Sequence, residues 1–361
     1  MTADSQKSAP EAPSGDAGAS ISPAEQTKQP TLFGRPVPVA LFKVLLLLAT
    51  TMWGLSFFIM KNALDVIPPS WLIGIRFFLC GIILAIIFHK RMRACFNRDH
   101  LFHGTLIGCL LFIAYWFQTV GLDGITPGKN AFLTATYCVI VPFVWWVIAR
   151  RKPTLFNILA AFGCIIGIGL VSLSADAFTA GGALMGRGDA FTLICAFFFA
   201  LHIVYVAKVN PGRDIYVLTA YQFLVSGLLG MIVGACTETL PAALAITPQL
   251  IGEMAYLTIF ASLLALLIQN VSLQYVPPAQ VSLILCLESV FGVLFSVMFY
   301  GETLTIRVLM GFAIIFAALV VSETGALLKA KLTPSGASRR MTNDQPDPAP
   351  AESGTHDQSA C

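Results

Sequence analysis

Ten stretches of this chain are long and apolar enough to cross a hydrocarbon layer, which takes about 20 residues as a helix. They are Ala40–Met60, Ser70–Phe88, Leu101–Val120, Asn130–Ala149, Leu155–Leu173, Ala190–Ala207, Ile215–Cys236, Met254–Leu273, Ala279–Tyr300 and Thr305–Ser322. No water inside a bilayer satisfies exposed peptide groups, so only helices or a closed barrel are open to such segments. The runs are too long for barrel strands and do not alternate in hydrophobicity. The expected fold class is all-α, a polytopic membrane protein of ten transmembrane helices. Composition agrees: 57% of the 361 residues are hydrophobic and 11% are charged, against about 25% charged in soluble domains.

The connections are short and carry helix breakers, as in "VIPPS", "DGITPGK" and "YVPPA", so successive helices cross in alternate directions. Lys and Arg gather on one side of this zigzag. That side holds Arg35 and Lys43, the group Lys90, Arg91, Arg93 and Arg98, then Arg150, Arg151 and Lys152, then Lys208 and Arg213, and the carboxyl-terminal Lys329, Lys331, Arg339 and Arg340. The other side holds Lys61, Lys129, Arg187 and Arg307. Cytoplasmic loops carry such an excess, which puts both termini in the cytoplasm and the protein in the plasma (inner) membrane. Residues 1–38 are poor in bulky apolar side chains and read as a disordered cytoplasmic tail; 324–361 reads as the cytoplasmic carboxyl-terminal tail, similar in composition after about Lys331. The amino terminus lacks the basic start and short apolar core of a signal peptide. A formal charge of +3 gives no footprint for nucleic acid. Cys80, Cys109, Cys138, Cys164, Cys195, Cys236 and Cys286 fall in apolar runs without a CxxC pair and read as small buried hydrophobes. No metal or cofactor is expected.

The chain also repeats itself. "FQTVGLDGITPGKNAFLTATYCV" at Phe117–Val139 is echoed by "IQNVSLQYVPPAQVSLILCLESV" at Ile268–Val290. At a shift of 151 residues Gln118 meets Gln269, Pro127 meets Pro278 and Tyr137 meets Glu288. Similar echoes pair Ala49 with Ala196, Lys61 with Lys208, Phe162 with Phe312 and Ser172 with Ser322. The expected organisation is a first five-helix repeat over 39–174, a linker at 175–187 and a second repeat over 188–323. Five is odd, so the second unit enters the membrane from the opposite face. Two inverted five-helix repeats are an architecture of secondary transporters, in which one half rocks against the other around a site near midplane.

"WGLSFFIMK" (Trp53–Lys61), "PPSWLIGIRF" (Pro68–Phe77), "GDAFTLICAFFFALHIVY" (Gly188–Tyr205), "LESV" (Leu287–Val290) and "YGETLT" (Tyr300–Thr305) appear in an order that resembles the drug/metabolite transporter superfamily. The resemblance is to its ten-helix bacterial-type members with two EamA domains. It spans about Ala40 to Ser322 and departs at Ser289, where the family often has proline. It implies a secondary transporter, a small-molecule substrate, the lipid bilayer as the other partner, and a homodimer as one option.

Glu288 lies near the middle of the ninth run. A carboxylate there costs about 2.5–3.5 kcal/mol on insertion scales, so it must face a cavity, meet a partner or be protonated. It reads equally as a site for a proton or substrate amine and as an interhelical lock. Arg76 could clamp a substrate carboxylate, neutralise Glu288 or snorkel to the outer surface. Trp53, Tyr137 and Tyr205 could line an apolar cavity with hydrogen-bonding tips, with plain packing as the alternative. His202 could carry a proton or bond between helices. Gln118, Gln269 and Asn270, beside the breaks at Pro127 and Pro278, read as structural glue first and gating groups second. Gly104/Gly108, Gly163/Gly167 and Gly230/Gly234 let helices approach closely.

No GxxxxGK[ST] stretch supports an ATP-driven pump. Neither HExxH, GxSxG nor a pair of embedded aspartates supports an intramembrane enzyme. The function expected is export of a small amphipathic metabolite, such as an amino acid or drug-like solute, by alternating access. A proton-independent exchanger of a polar metabolite is the alternative.

Overall fold

Proline and small polar caps decide where the apolar runs begin as helices. In the computed structural model the described residues are 31–332, apart from 33–34, 37, 151, 154, 173–184, 240–245, 277–280 and 282–283. The chain divides into two units, Met1–Pro38 and Val39–Cys361. In the first, β1 (Thr31–Leu32) and β2 (Arg35–Pro36) form a two-residue antiparallel pair, a small exception to an all-α expectation. The remainder of the expected amino-terminal tail, most of the linker 175–187, Pro278 and everything beyond 332 lie outside the described residues.

The second unit is helical. It begins with α1 (Val39–Leu64) and α2 (Pro69–Ile87), where Pro69 occupies the first turn that tolerates a missing N–H. A short basic helix, α3 (His89–Ala94), leads to α4 (Arg98–Asp123). The side chain of Asn97 accepts from the His100 amide at the start of α4 (2.8 Å). Then come α5 (Pro127–Ala135), α6 (Tyr137–Ala149) and α7 (Leu155–Ser172). The second half holds α8 (Arg187–Val209) and α9 (Ile215–Thr237), the latter capped by Asp214 accepting from Tyr216 and Val217. Next, α10 (Pro248–Tyr256) passes through a π-helical stretch, Leu257–Leu264, into α11 (Ala265–Ser272). The last elements are α12 (Leu287–Phe295), its π-turn extension Ser296–Tyr300, and α13 (Ile306–Leu332). The tail expected from 324 thus begins as helix.

Among the described residues seven helical segments are long and apolar enough to cross a membrane, counting α5–α6 and α10–α11 as one each. Three shorter apolar ones accompany them, Leu155–Val171, Leu287–Tyr300 and Ile306–Ala318. Their outer faces expose Leu48, Ile86, Val147, Phe162, Ile232 and Met298, as lipid contact requires.

The principal packing is α2 on α9, α7 on α13, and α4 on both α8 and α9. Helix α1 packs on α12 and on the α10–α11 segment, and α8 packs on α5 and α6. Small residues set the spacing. A Cβ on Gly230 would lie 2.6 Å from the Gly74 amide nitrogen of α2, and one on Gly167 would lie 2.5 Å from Ile315 of α13. The close approaches expected at Gly104, Gly108, Gly163 and Gly234 are formed as well.

Two helices are interrupted in mid-membrane at related places. The α5–α6 segment breaks at Thr136 and the chain entering α12 turns at Cys286. At each break an amide shortens its reach to the third residue back: Thr136 to the Leu133 carbonyl (3.3 Å) and Ser289 to the Cys286 carbonyl (3.2 Å). The turn at Cys286 forms with serine, not proline, at 289. Tyr137 follows one break directly and Glu288 follows the other by two residues.

Candidate functional site

The two interruptions bring Tyr137 and Glu288 to one internal cavity of about 40 Å³, room for a few water molecules. Trp53, Ser56 and Phe57 of α1 form one wall, with Tyr115 and Gln118 of α4 beside them. Thr134 and Tyr137 come from α5 and α6, and Phe199, His202 and Ile203 from α8. Leu266 and Gln269 of α11 and Glu288 of α12 complete the lining. Both sequence halves therefore supply the walls, mostly apolar surface with a few hydrogen-bonding tips.

Glu288 is 5% exposed and faces the cavity together with Tyr137. No Lys or Arg forms an ion pair with it among the described residues. A membrane carboxylate without a cation keeps its acceptor capacity for whatever enters the cavity. The buried His202 shares a hydrogen with the Gln222 side chain of α9 (3.3 Å), so it is both a cavity wall and an interhelical contact. The Trp53 indole donates to the Ala261 carbonyl at 2.8 Å. Ala261 lies in the π-helical stretch, where the altered register releases carbonyls from the i→i−4 ladder. Cys80 uses the same irregularity, its thiol donating to the Thr258 carbonyl (3.1 Å).

The remaining candidates separate. Gln118 and Gln269 both line the cavity, and Gln118 reaches Thr134 at 3.4 Å. Asn270 instead bonds between helices, donating to the Thr219 hydroxyl (3.1 Å), while its carbonyl accepts from Asn210 (3.3 Å). Pro127 sits in the first turn of α5. Tyr205 is a correction. It lies one turn beyond His202, misses the cavity, and its hydroxyl meets His103 Nδ1 at 2.7 Å. Two readings of Arg76 are corrected too. Its side chain is 1% exposed, which rules out snorkelling, and it makes no ion pair with Glu288. The sequence did not single out Ser56, Phe57, Thr134, Phe199, Ile203 or Leu266, which are ordinary residues of apolar runs.

Polar contacts close the bundle above and below the cavity. Where α8 meets α9, Arg213 holds Asp99 through two bonds of 2.5 and 2.9 Å, and that hydrogen bond raises the guanidinium above its ordinary pKa. Arg91 pairs with Asp214 at 3.0 Å. At the opposite end Glu238 accepts from the Ser70 amide and hydroxyl (3.0 and 2.7 Å) at the start of α2. Glu302 accepts from the Thr126 hydroxyl (2.5 Å) and the Gly128 amide (3.1 Å) at the start of α5, and from the Ser296 hydroxyl (2.5 Å) in the π-turn after α12. Both carboxylates sit at helix N-termini, where the helix dipole favours negative charge.

A bundle of lipid-facing helices around a cavity with a few polar tips is the design of a multi-pass membrane transporter. The chain belongs to the EamA-like transporter family, whose model matches residues 41–173 and 186–324, and it is a transporter rather than an enzyme. A protein of Archaeoglobus fulgidus called an uncharacterized transporter is 30% identical over 77% of this chain and 84% of its own length. The uncharacterized inner membrane transporter YedA of Escherichia coli K12 is 28% identical, over 77% of this chain and 90% of its own. A probable amino-acid metabolite efflux pump of Salmonella typhimurium is 27% identical, over 81% of this chain and 98% of its own. A solved crystal structure at 15% identity superposes with a TM-score of 0.60, over 81% of this chain and 99% of that one, and shares the fold.

Proposed function

We propose that the protein exports a small amphipathic metabolite across the inner membrane by alternating access, with Glu288 as the anchor for the solute's cationic group. The observation that carries this reading is a buried carboxylate, without a cation partner among the described residues, facing a cavity that both halves of the chain line. The cavity is too small for a metabolite in this closed form, so loading requires one side of the bundle to open. Polar latches at both ends, of which the Arg213–Asp99 and Glu302–Thr126 contacts are examples, give that motion something to break and remake.

The packing supports ten spans in two inverted repeats. Exchange each helix for its sequence mate: α1 for α8, α2 for α9, α4 for α10–α11, α5–α6 for α12 and α7 for α13. The α4–α8 contact then becomes that of α1 with α10–α11. The α1–α12 contact becomes that of α8 with α5–α6, and α2–α9 and α7–α13 map onto themselves. A rocking mechanism needs two structurally equivalent halves, and this contact pattern is consistent with them. Export is favoured by the efflux pump among the relatives, and the inner membrane by the printed description of another.

Metabolite pools inside and outside cells, compared with and without the protein, test the reading. At least one amphipathic solute is expected to rise outside and fall inside when the protein is present. Unchanged pools across the profiled amines and amino acids would overturn it. Cysteines placed at Ser5 and Ser338, in a cysteine-free background, are both expected to escape an impermeant thiol reagent in intact cells. Labelling of either would overturn the cytoplasmic placement of the termini.

A further inference from the structure

Arg76 is a buried charge that the chemistry of Glu288 leaves unused. Its side chain is 1% exposed, and among the described residues neither Nε nor Nη2 has a hydrogen-bond partner. Among those residues Nη1 reaches the Met60 sulfur, at 3.7 Å, a weak acceptor. No carboxylate pairs with the guanidinium among the described residues. Two ring faces enclose it instead, Phe77 at 4.8 Å and Tyr115 at 4.6 Å. Cation–π contact returns part of what dehydrating a guanidinium costs, yet it leaves the forked N–H donors idle. Ionisable groups kept in a membrane without a partner mark ligand sites by default.

Tyr115 connects this group to the cavity. The same ring that covers Arg76 also lines the cavity that holds Glu288. Tyr115 therefore stands between the packed guanidinium and the cavity. We propose that Arg76 is a carboxylate-binding site on the substrate path, screened by Tyr115 in the closed form and uncovered when the ring swings aside. Together with an ammonium site at Glu288, it restricts the substrate class to small solutes that carry both an amine and a carboxylate. One guanidinium suits a singly charged carboxylate, which it can hold bidentately; a phosphate dianion would call for further buried cations. This inference rests on the transport reading above and adds the anionic half of the substrate.

Three probes with one skeleton separate the groups: L-leucine, isoamylamine, which lacks the carboxylate, and 4-methylpentanoate, which lacks the amine. Binding to purified wild-type protein and to Arg76→Gln and Arg76→Lys is read by calorimetry, with unfolding temperature as the control for folding. Wild type is expected to bind L-leucine at least about tenfold more tightly than isoamylamine, the scale of a charge-assisted hydrogen bond. Arg76→Gln is expected to remove that preference without weakening isoamylamine, and Arg76→Lys to restore part of it. A folded Arg76→Gln that keeps the preference overturns the assignment. So does a wild type that binds isoamylamine as tightly as L-leucine, or that binds none of the three. If the Arg76 variants fail to fold, Tyr115→Ala takes their place. Removing the ring is expected to tighten 4-methylpentanoate binding about tenfold, and an unchanged affinity overturns the site. The cellular metabolite comparison reads transport independently, so loss of the Arg76 site and loss of the transport function are distinguishable.

Discussion

Replacing Glu288 with glutamine separates a substrate site from a structural lock. The two side chains have the same shape, so the groups lining the cavity beside Glu288 keep their places. No protein cation is orphaned by the change, since no Lys or Arg pairs with Glu288 among the described residues. A buried charge that disappears relieves a dehydration cost of about 2.5–3.5 kcal/mol on insertion scales. Unfolding temperature in detergent is therefore expected to stay level or rise. The solute, by contrast, loses a charge-assisted contact worth about 1.5–3 kcal/mol. At 1.4 kcal/mol per factor of ten, the protein-dependent efflux of its solute should fall by about 10- to 150-fold at subsaturating concentration. The assay is efflux from cells expressing equal amounts of each form, paired with thermal unfolding of the purified proteins. Efflux within about twofold of wild type would remove Glu288 from the substrate path. A clear drop in unfolding temperature would identify the carboxylate as an interhelical lock instead.

Three other substitutions probe the frame around the cavity. Trp53→Phe removes the donor to the buried Ala261 carbonyl and is expected to cost about 1–3 kcal/mol, read as a lower unfolding temperature; no change would mean the π-helical stretch holds itself. Gly230→Ala drives a methyl against the α2 backbone at 2.6 Å and should cost about 1–3 kcal/mol, checked by the monodispersity and unfolding temperature of the purified protein. Glu302→Ala removes the acceptor of two donors at the start of α5, Thr126 and Gly128, and of Ser296 after α12. It should expose the cavity from that end, raising the alkylation rate of a cysteine placed at Gln118 about tenfold or more. An unchanged rate would show that Glu302 is not a latch.

Hydropathy made the apolar runs visible because a bilayer demands length and oiliness at every turn of a helix. Helix caps such as Pro69 and Asn97 then fix boundaries within a few residues. Trp53 and Tyr137 could be read as cavity-lining from their polar tips, and the repeat pairs Tyr137 with Glu288; that His202 and Glu288 share one cavity with them was not legible. What stayed hidden was rotation about each helix axis. Membrane helices are apolar toward lipid and toward one another, so Phe57, Phe199 and Leu266 carry no mark that they turn inward. The same blindness misplaced Tyr205. It sits one turn beyond His202, and that step carries its hydroxyl out of the cavity to His103. Arg76 illustrates the other limit. Snorkelling was one of its three readings, whereas the enclosing rings of Phe77 and Tyr115 come from tertiary packing that spacing along α2 does not encode. The π-helical stretch before α11 likewise leaves no signature in its residue types.

Alternating access between two equivalent halves is tested most directly by distances at both ends of the bundle. Spin labels at Asp65→Cys and Gln249→Cys report the end near the start of α2, and labels at Lys90→Cys and Pro211→Cys report the end near Arg213. All four positions are exposed. Pulsed dipolar spectroscopy in lipid should find two populations for each pair, with one end long when the other is short, and solute should shift the balance between them. A single unchanging distance at both ends, with and without solute, would contradict the mechanism.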